Sequence, residues 1–304
     1  MASKENFFKK ARTKDLIFAL LIILIPTIQF CIFYIGVNFN SVLMSFQKYV
    51  INEETNLGQY IFCGLENFEK MFFKLRYEDE LLTALKNSII VFFVNVGVGT
   101  TLSLVFSLYI FKKMAFAKTF RAILFAPSIL SSIVTVTMFR NFVESALPQI
   151  LGLEMGLLGN PSTRFVTLLF FMVWIGFGTQ ILMYSGAMNS IDPSVIEAAK
   201  LDGASPLREF VSIIIPLIYP TLTTFLITNI AGIFTNQLNL FAFYANSADL
   251  SIRTMGYFLF RQTNVSTLAE YPLLATYGVA LTLVAVPITL LGKKGLEVIG
   301  PKSE

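Results

Sequence analysis

Ile191-Asp-Pro-Ser-Val-Ile-Glu-Ala-Ala-Lys-Leu-Asp-Gly-Ala-Ser-Pro-Leu-Arg-Glu-Phe-Val-Ser-Ile-Ile-Ile-Pro216 is the stretch on which the reading of this chain turns. Its punctuation spells two short helices. Asp192 is a good N-cap, and Pro193 suits the first helical position, where the missing N–H is no loss. Gly203, directly after Asp202, can take the left-handed conformation that ends a helix. Ser205 and Pro206 repeat the cap-plus-proline start, and this second helix runs on into the apolar Ile213 to Pro216. On the first helix Ala198 and Ala199 leave a flat, small-residue patch beside one carboxylate, Glu197. Such a patch lets the groove of another protein approach the backbone closely, with one charged contact to fix it. A loop that merely joins two helices also needs caps, so the capping alone does not separate docking from connection.

On both sides of this stretch the chain turns apolar. Of its 304 residues 55% are hydrophobic, 31 are Phe and only 14% are charged, with a mean hydropathy of +0.69. A soluble domain carries roughly 25% charged residues, so a soluble enzyme, a disordered chain and a nucleic-acid binder are all excluded. A helix needs about 20 mostly apolar residues to cross the hydrocarbon core. Six runs qualify, at 16–37, 88–111, 122–139, 165–187, 213–235 and 273–291, and none contains Asp, Glu, Lys or Arg. The expected fold is an all-α, polytopic membrane protein. It has a six-span domain over 16–291, a polar loop at 188–212 and flanking segments 1–15 and 292–304. The first run is too long for a signal-peptide core and no small-residue cleavage site follows it, so it reads as a retained anchor.

Orientation follows from the basic residues, which collect on the cytoplasmic side. With the N-terminus inside, the inner segments 1–15, 112–121, 188–212 and 292–304 hold 14 of the 23 Lys and Arg. Both termini and the 188–212 loop are therefore expected in the cytoplasm, and the protein in the cell (plasma or inner) membrane as a multi-pass chain. In the long outer connection 38–87, Leu65, Phe68, Phe72 and Leu75 recur at helical spacing. That pattern fits a short amphipathic helix along the membrane face, or one packed on the spans.

The spacing Glu197-Ala198-Ala199, three residues, Gly203, nine residues, Ile213-x-Ile215-Pro216 resembles the EAA signature of permease subunits of ATP-binding-cassette importers. Ile215 stands where that family usually has Leu. Gly64-Leu-Glu-Asn-Phe68, Leu85-Lys-Asn-Ser88, Phe120 to Pro127, Ala198 to Ala204 and Tyr271 to Leu283 likewise look like carbohydrate importer permeases. The chain is thus similar to MalF-like subunits, the binding-protein-dependent inner-membrane components of such systems. The resemblance implies a type I importer permease fold and a coupling role for Asp192, Glu197, Ala198, Ala199, Asp202, Gly203, Ile213, Ile215 and Pro216. It also implies partners: a second homologous permease forming a heterodimer, two ATPase subunits that bind ATP and Mg, and an extracellular solute-binding (lipo)protein carrying a sugar.

The residues themselves say what this chain does not supply. With no His and no charged residue in any run it lacks the ionisable group that couples a carrier to an ion gradient. Gly292-Lys-Lys-Gly295 has neither the spacing nor the Ser/Thr of a phosphate-binding loop. The chain is therefore expected not to be an enzyme and to hold no cofactor or metal of its own. For a neutral polyhydroxylated solute, Asn229, Gly232 and Asn236 share one face of the fifth run, while Trp174, Gly176, Thr179, Gln180 and Tyr184 lie along the fourth. Resemblance to sugar-importer permeases places substrate between these two runs. Ser128, Ser131, Ser132 and Thr135 form a stripe on the third run, and Asn95 lies in the second. Each of these also fits ordinary helix packing. The same kind of importer carrying glycerol phosphate or a polysaccharide fragment, and a stand-alone secondary carrier, are the alternative readings.

Overall fold

The computed structural model describes residues 18–52 and 57–301. The N-terminal segment 1–15, the first two residues of the 16–37 run and the end of the tail at 302–304 lie outside the described residues. The described residues divide into two compact units, one within 18–73 with 266–279 and the other of 74–265 with 280–301.

The first unit holds helix α1 (Phe18–Met44), a hairpin of β1 (Gln47–Ile51) and β2 (Gly58–Phe62), and most of α2 (Glu66–Tyr77). It also takes the N-terminal end of the last helix, α12 (Tyr271–Ile299). Every side chain from 18 to 40 is exposed, as suits an apolar helix whose surroundings are lipid or another chain. The hairpin is an addition to the all-α expectation. Tyr49-Val50-Ile51 faces Gly58-Gln-Tyr60 in antiparallel register, with the Tyr49 and Tyr60 rings 5.3 Å apart, a cross-strand aromatic pairing that suits strands. Helix α2 appears where the periodicity placed it, but the buried face is Asn67 and Met71, with Leu65, Phe72 and Phe73 exposed. The Asn67 amide accounts for that rotation, donating to the carbonyls of Ser45 (3.0 Å) and Gln47 (2.7 Å).

The second unit is built around α6 (Pro161–Asn189), whose Leu168, Phe171, Tyr184 and Met188 are fully buried. Helix α3 (Asp79–Phe111) lies along it, brought close by small residues: Ser103 and Ser107 are buried, and the Ser107 hydroxyl donates to the Ile181 carbonyl at 3.3 Å. Against the other side packs α4 (Ala117–Ile129). There Gly178 is obligatory, because a Cβ at that position would lie 2.5 Å from the Ser128 hydroxyl.

Two of the expected spans are not straight helices. The third run breaks at Leu130–Ser131, both extended, and α5 (Ser132–Leu151) leaves at 109° to α4. Pro127, three residues earlier, lacks the N–H that would bond Ile123, which loosens the last turn. The fifth run is α8 (Pro206–Leu217) followed by α9 (Tyr219–Ala231), bent by 73° at Ile218. That break falls between Pro216 and Pro220, each of which removes a backbone donor. Among the described residues four helices, α1, α3, α6 and α12, are long and apolar enough to cross a membrane, and the count rises to six if each bent pair is one span.

Candidate functional site: a capped loop joined to a polar cavity

The 191–217 segment folds as its punctuation requires. The Asp192 carboxylate accepts the Ser194 N–H at 2.9 Å and starts α7 (Pro193–Leu201). That bond, and a second from the Ser194 hydroxyl, hold the Asp192 carboxyl below its ordinary range. At the other end Gly203, with φ +73°, donates to Lys200 (3.1 Å) while Ala204 donates to Ala199 (3.0 Å). These are the paired bonds of a Schellman cap. Ser205 accepts the Arg208 N–H and begins α8.

One detail of the expected surface changes. Glu197 and Ala198 are exposed, but Ala199 is buried beside Ile196, so the flat patch is Ala198 alone with its neighbours. The 3.6-residue period turns adjacent alanines about 100° apart, and only one of the two can face outward. The most exposed large apolar residues on the loop are Leu201 (89%) and Leu207 (71%), either side of the Gly203 turn. Below them Ile196, Ile214 and Ile218 join Leu104, Tyr184 and Met188 in one apolar cluster. The loop is seated on the C-terminal ends of α3 and α6.

Sequence reasoning missed Glu209. It is buried, and it pairs with Lys112 at the end of α3. The partners lie 97 positions apart, so no local pattern announces them.

Further along the same polypeptide, α9 reaches a cavity of about 260 Å3 lined by Val91, Phe92, Asn95, Thr228, Asn229, Gly232, Ile233, Thr235 and Asn236. Three of the sequence candidates, Asn229, Gly232 and Asn236, therefore meet here, and Asn95 joins them by donating from its side-chain amide to the Asn229 Oδ1 at 2.7 Å. The helical-face argument is nonetheless corrected for Asn236. Helix α9 ends at Ala231, and Asn236 sits in the following turn, accepting the Leu238 N–H at 2.8 Å. Its carbonyl takes the Thr254 hydroxyl at 2.7 Å, and its amide approaches the Met172 sulfur of α6 at 3.5 Å. The turn is pressed from behind by α11 (Met255–Val265): a Cβ on Gly256 would lie 2.5 Å from the Thr235 carbonyl oxygen.

The candidates on α6 do not line this cavity. Trp174 packs among aromatic rings, 6.0 Å from both Phe139 and Phe171. Gly176 faces open space, Thr179 is exposed, and Gln180 is half-buried. Tyr184 is buried in the cluster beneath the loop. The third-run stripe is divided by the break after Ile129. Ser128 bonds back to Phe125, and Thr135 is buried and bonds to Ser131. Among the described residues no group of three or more Cys, Asp or Glu is placed to hold a metal ion.

Residues 87–302, which contain the loop and the cavity, match the family described as binding-protein-dependent transport system inner membrane component. The chain belongs to this family. The permease is 24% identical over 278 residues to the arabinooligosaccharides transport system permease protein AraP of Bacillus subtilis (strain 168), covering 88% of this chain and 84% of that protein. It is 23% identical over 196 residues to the maltose/maltodextrin transport system permease protein MalF of Escherichia coli (strain K12), covering 61% of this chain but only 38% of that longer protein. Its fold matches, with TM-score 0.75, a solved bacterial transporter involved in the import of the acidic polysaccharide alginate, at 19% identity over 97% of this chain and 100% of the other. As a family member this permease is a multi-pass inner-membrane component of a transport system, and its fold is that of an importer permease.

Proposed function

We propose that this permease forms half of the translocation pathway of an ATP-driven importer of sugars or oligosaccharides. The observation that carries the reading is continuity. An exposed, rigidly capped handle runs through α8, across one bend, into a helix that lines a polar cavity. The cavity lining offers amides, threonine hydroxyls and the Phe92 ring, and no ionisable side chain, which suits a neutral polyhydroxylated solute. At about 260 Å3 it is smaller than the roughly 300–1,000 Å3 of a typical drug-sized pocket. It thus suits one sugar ring, with the rest of the path supplied by a second homologous permease. The open face of α6 at Gly176 and Thr179 fits the same path. The uncharged lining weighs against glycerol phosphate or an acidic polysaccharide unless that second permease brings cations.

In this reading both termini and the 188–212 loop are cytoplasmic. Two separate ATPase subunits bind ATP and Mg, and an extracellular solute-binding protein delivers the cargo. This chain is no enzyme. Closure of the ATPase pair moves Glu197, Ala198, Leu201 and Leu207 with Asp202 and Gly203. Helix α8, through Ile213, Ile215 and Pro216, carries the motion to the bend at Ile218, and α9 tilts the Asn229 wall of the cavity.

The test is uptake by the full assembly, with maltotriose and an arabino-oligosaccharide as probes. Gly203→Asp and Glu197→Lys chains that insert normally are expected to lose uptake by about tenfold, within the range of an ordinary coupling energy, while ATP hydrolysis continues. Normal uptake by an inserted Gly203→Asp chain would overturn the proposal.

A further inference from the structure

Glu209 is the one charged side chain that is buried among the described residues, at 3% exposure. Its partner Lys112 is one-quarter exposed and sits at the C-terminal cap of α3. Burying a carboxylate is costly unless it is paired and hydrogen-bonded, so an unneeded glutamate here would be a liability. Both charges also suit their helices. Lys112 stands at the negative end of α3, and Glu209 stands in the first turn of α8, near its positive end. Beside the pair, Leu104, Leu108 and Phe111 of α3 share one apolar cluster with Phe210 and Ile214 of α8. Helix α3 is therefore bonded twice to the segment that runs from the loop to the cavity. One bond is Lys112–Glu209 at the inner end, and the other is Asn95–Asn229 at the cavity. The two attachment points on α3 are about 25 Å apart along the helix.

From this double attachment we infer that Lys112 and Glu209 are positioning residues. Their ion pair makes the coupling loop and α3 one rigid body, so that a displacement of α7 and α8 carries the Asn95 wall of the cavity along with the Asn229 wall. The loop then drives two helices of the pathway. The inference rests on the proposed coupling function for its consequence, while the rigidity itself can be measured independently.

The experiment uses the full transporter, with its partner permease, ATPases and binding protein, in lipid nanodiscs. Spin labels are placed at Lys113→Cys and Val195→Cys in a Cys31→Ser/Cys63→Ser background, Val195 being an exposed α7 residue outside the docking set. With the native pair, a single narrow 113–195 distance is expected, unchanged by ATP. Lys112→Met/Glu209→Gln should broaden it and cut binding-protein stimulation of ATP hydrolysis by about fivefold or more. The exchange Lys112→Glu/Glu209→Lys should restore both in part, because the swapped charges pair again but oppose the dipoles of their helices, and simple loss of packing predicts no rescue. A 113–195 distance that shifts with ATP in the native pair overturns the inference, and that measurement decides even where a variant fails to assemble. So does an unaltered distribution in the neutral pair, or an exchange variant that assembles without recovery. An assembly that hydrolyses no ATP would sink the proposed function instead, and the labelled pair would still report whether α3 and the loop are one body.

Discussion

The 192–217 segment and the 228–236 wall of the cavity lie on one continuous length of polypeptide, while the 91–95 wall comes from α3, and loop and cavity are held together in opposite ways. In the loop the deciding bonds are local: Asp192 to Ser194, Gly203 to Lys200, Ala204 to Ala199, Ser205 to Arg208. In the cavity they are long-range: Asn95 to Asn229, Asn236 to Met172, Thr254 to Asn236. The difference teaches where rigidity comes from. A handle must keep its shape while it is pushed, and closing its own hydrogen bonds within a few residues lets it do so. A binding cavity must change shape, and walls from separate helices, joined by few amide bonds, allow that.

Replacing Gly256 is the most severe way to break this contrast, because a Cβ there meets backbone rather than a movable side chain. Gly256→Ala is expected to destabilise the outer wall by about 1–3 kcal/mol, the usual cost of overpacking. Displacing Asn236 should lower uptake, measured alongside the thermal midpoint of the purified assembly, while the loop remains unaffected. In the loop, Gly203 has open space around it but a positive φ. Gly203→Ala should therefore cost about 1 kcal/mol through conformation alone, and Gly203→Val should cost more, because β-branching disfavours the left-handed region. Equal effects from Ala and Val would mean that the turn does not need its φ.

The amide pair gives a smaller, sharper test. Asn95→Leu and Asn229→Leu, alone and together, should show a coupling energy of about 0.6–1.7 kcal/mol in a double-mutant cycle on stability, as for other hydrogen bonds between membrane helices. Additive effects would show that the two walls are not joined there. The smallest effect is expected from acid. Asp192 is held below its ordinary range when folded. Its cap is therefore complete above the unfolded carboxyl value of about 3.9 and is lost only as pH falls through the lower folded value. Loop protection from hydrogen exchange should be flat from pH 5 to 8 and fall only in strong acid, and Asp192→Asn should remove the acid dependence while keeping most of the cap.

The same contrast explains which parts of the molecule were legible beforehand. Every cap in the loop was readable, because Asp-Pro, Gly and Ser-Pro act within one turn of themselves. Ala199 was placed on the wrong face only because two adjacent alanines were treated as one surface. In the third run Pro127 was visible, but the 109° break falls at Leu130–Ser131, three residues beyond it, and its place is not marked by the proline itself. Asn229 and Gly232 were found from helical spacing. Asn236 was found by the same rule although the helix ends before it, so that agreement owes nothing to periodicity. Trp174 suits either a substrate face or helix packing by sequence, and its place 6.0 Å from both Phe139 and Phe171 leaves no trace in spacing. Lys112, Glu209, Thr254 and Gly256 carried no signal of their own.

By itself the sequence determined that this is a helical membrane chain with one polar, capped handle. Apolar run length and the chemistry of Asp, Pro, Gly and Ser are properties of a few consecutive residues. The tertiary structure alone decided that the handle is clamped to α3 through Lys112 and Glu209, and that Asn95 and Asn229 close one cavity. Those contacts join residues 97 and 134 positions apart, and only the packing of helices on α6 brings them within hydrogen-bonding reach.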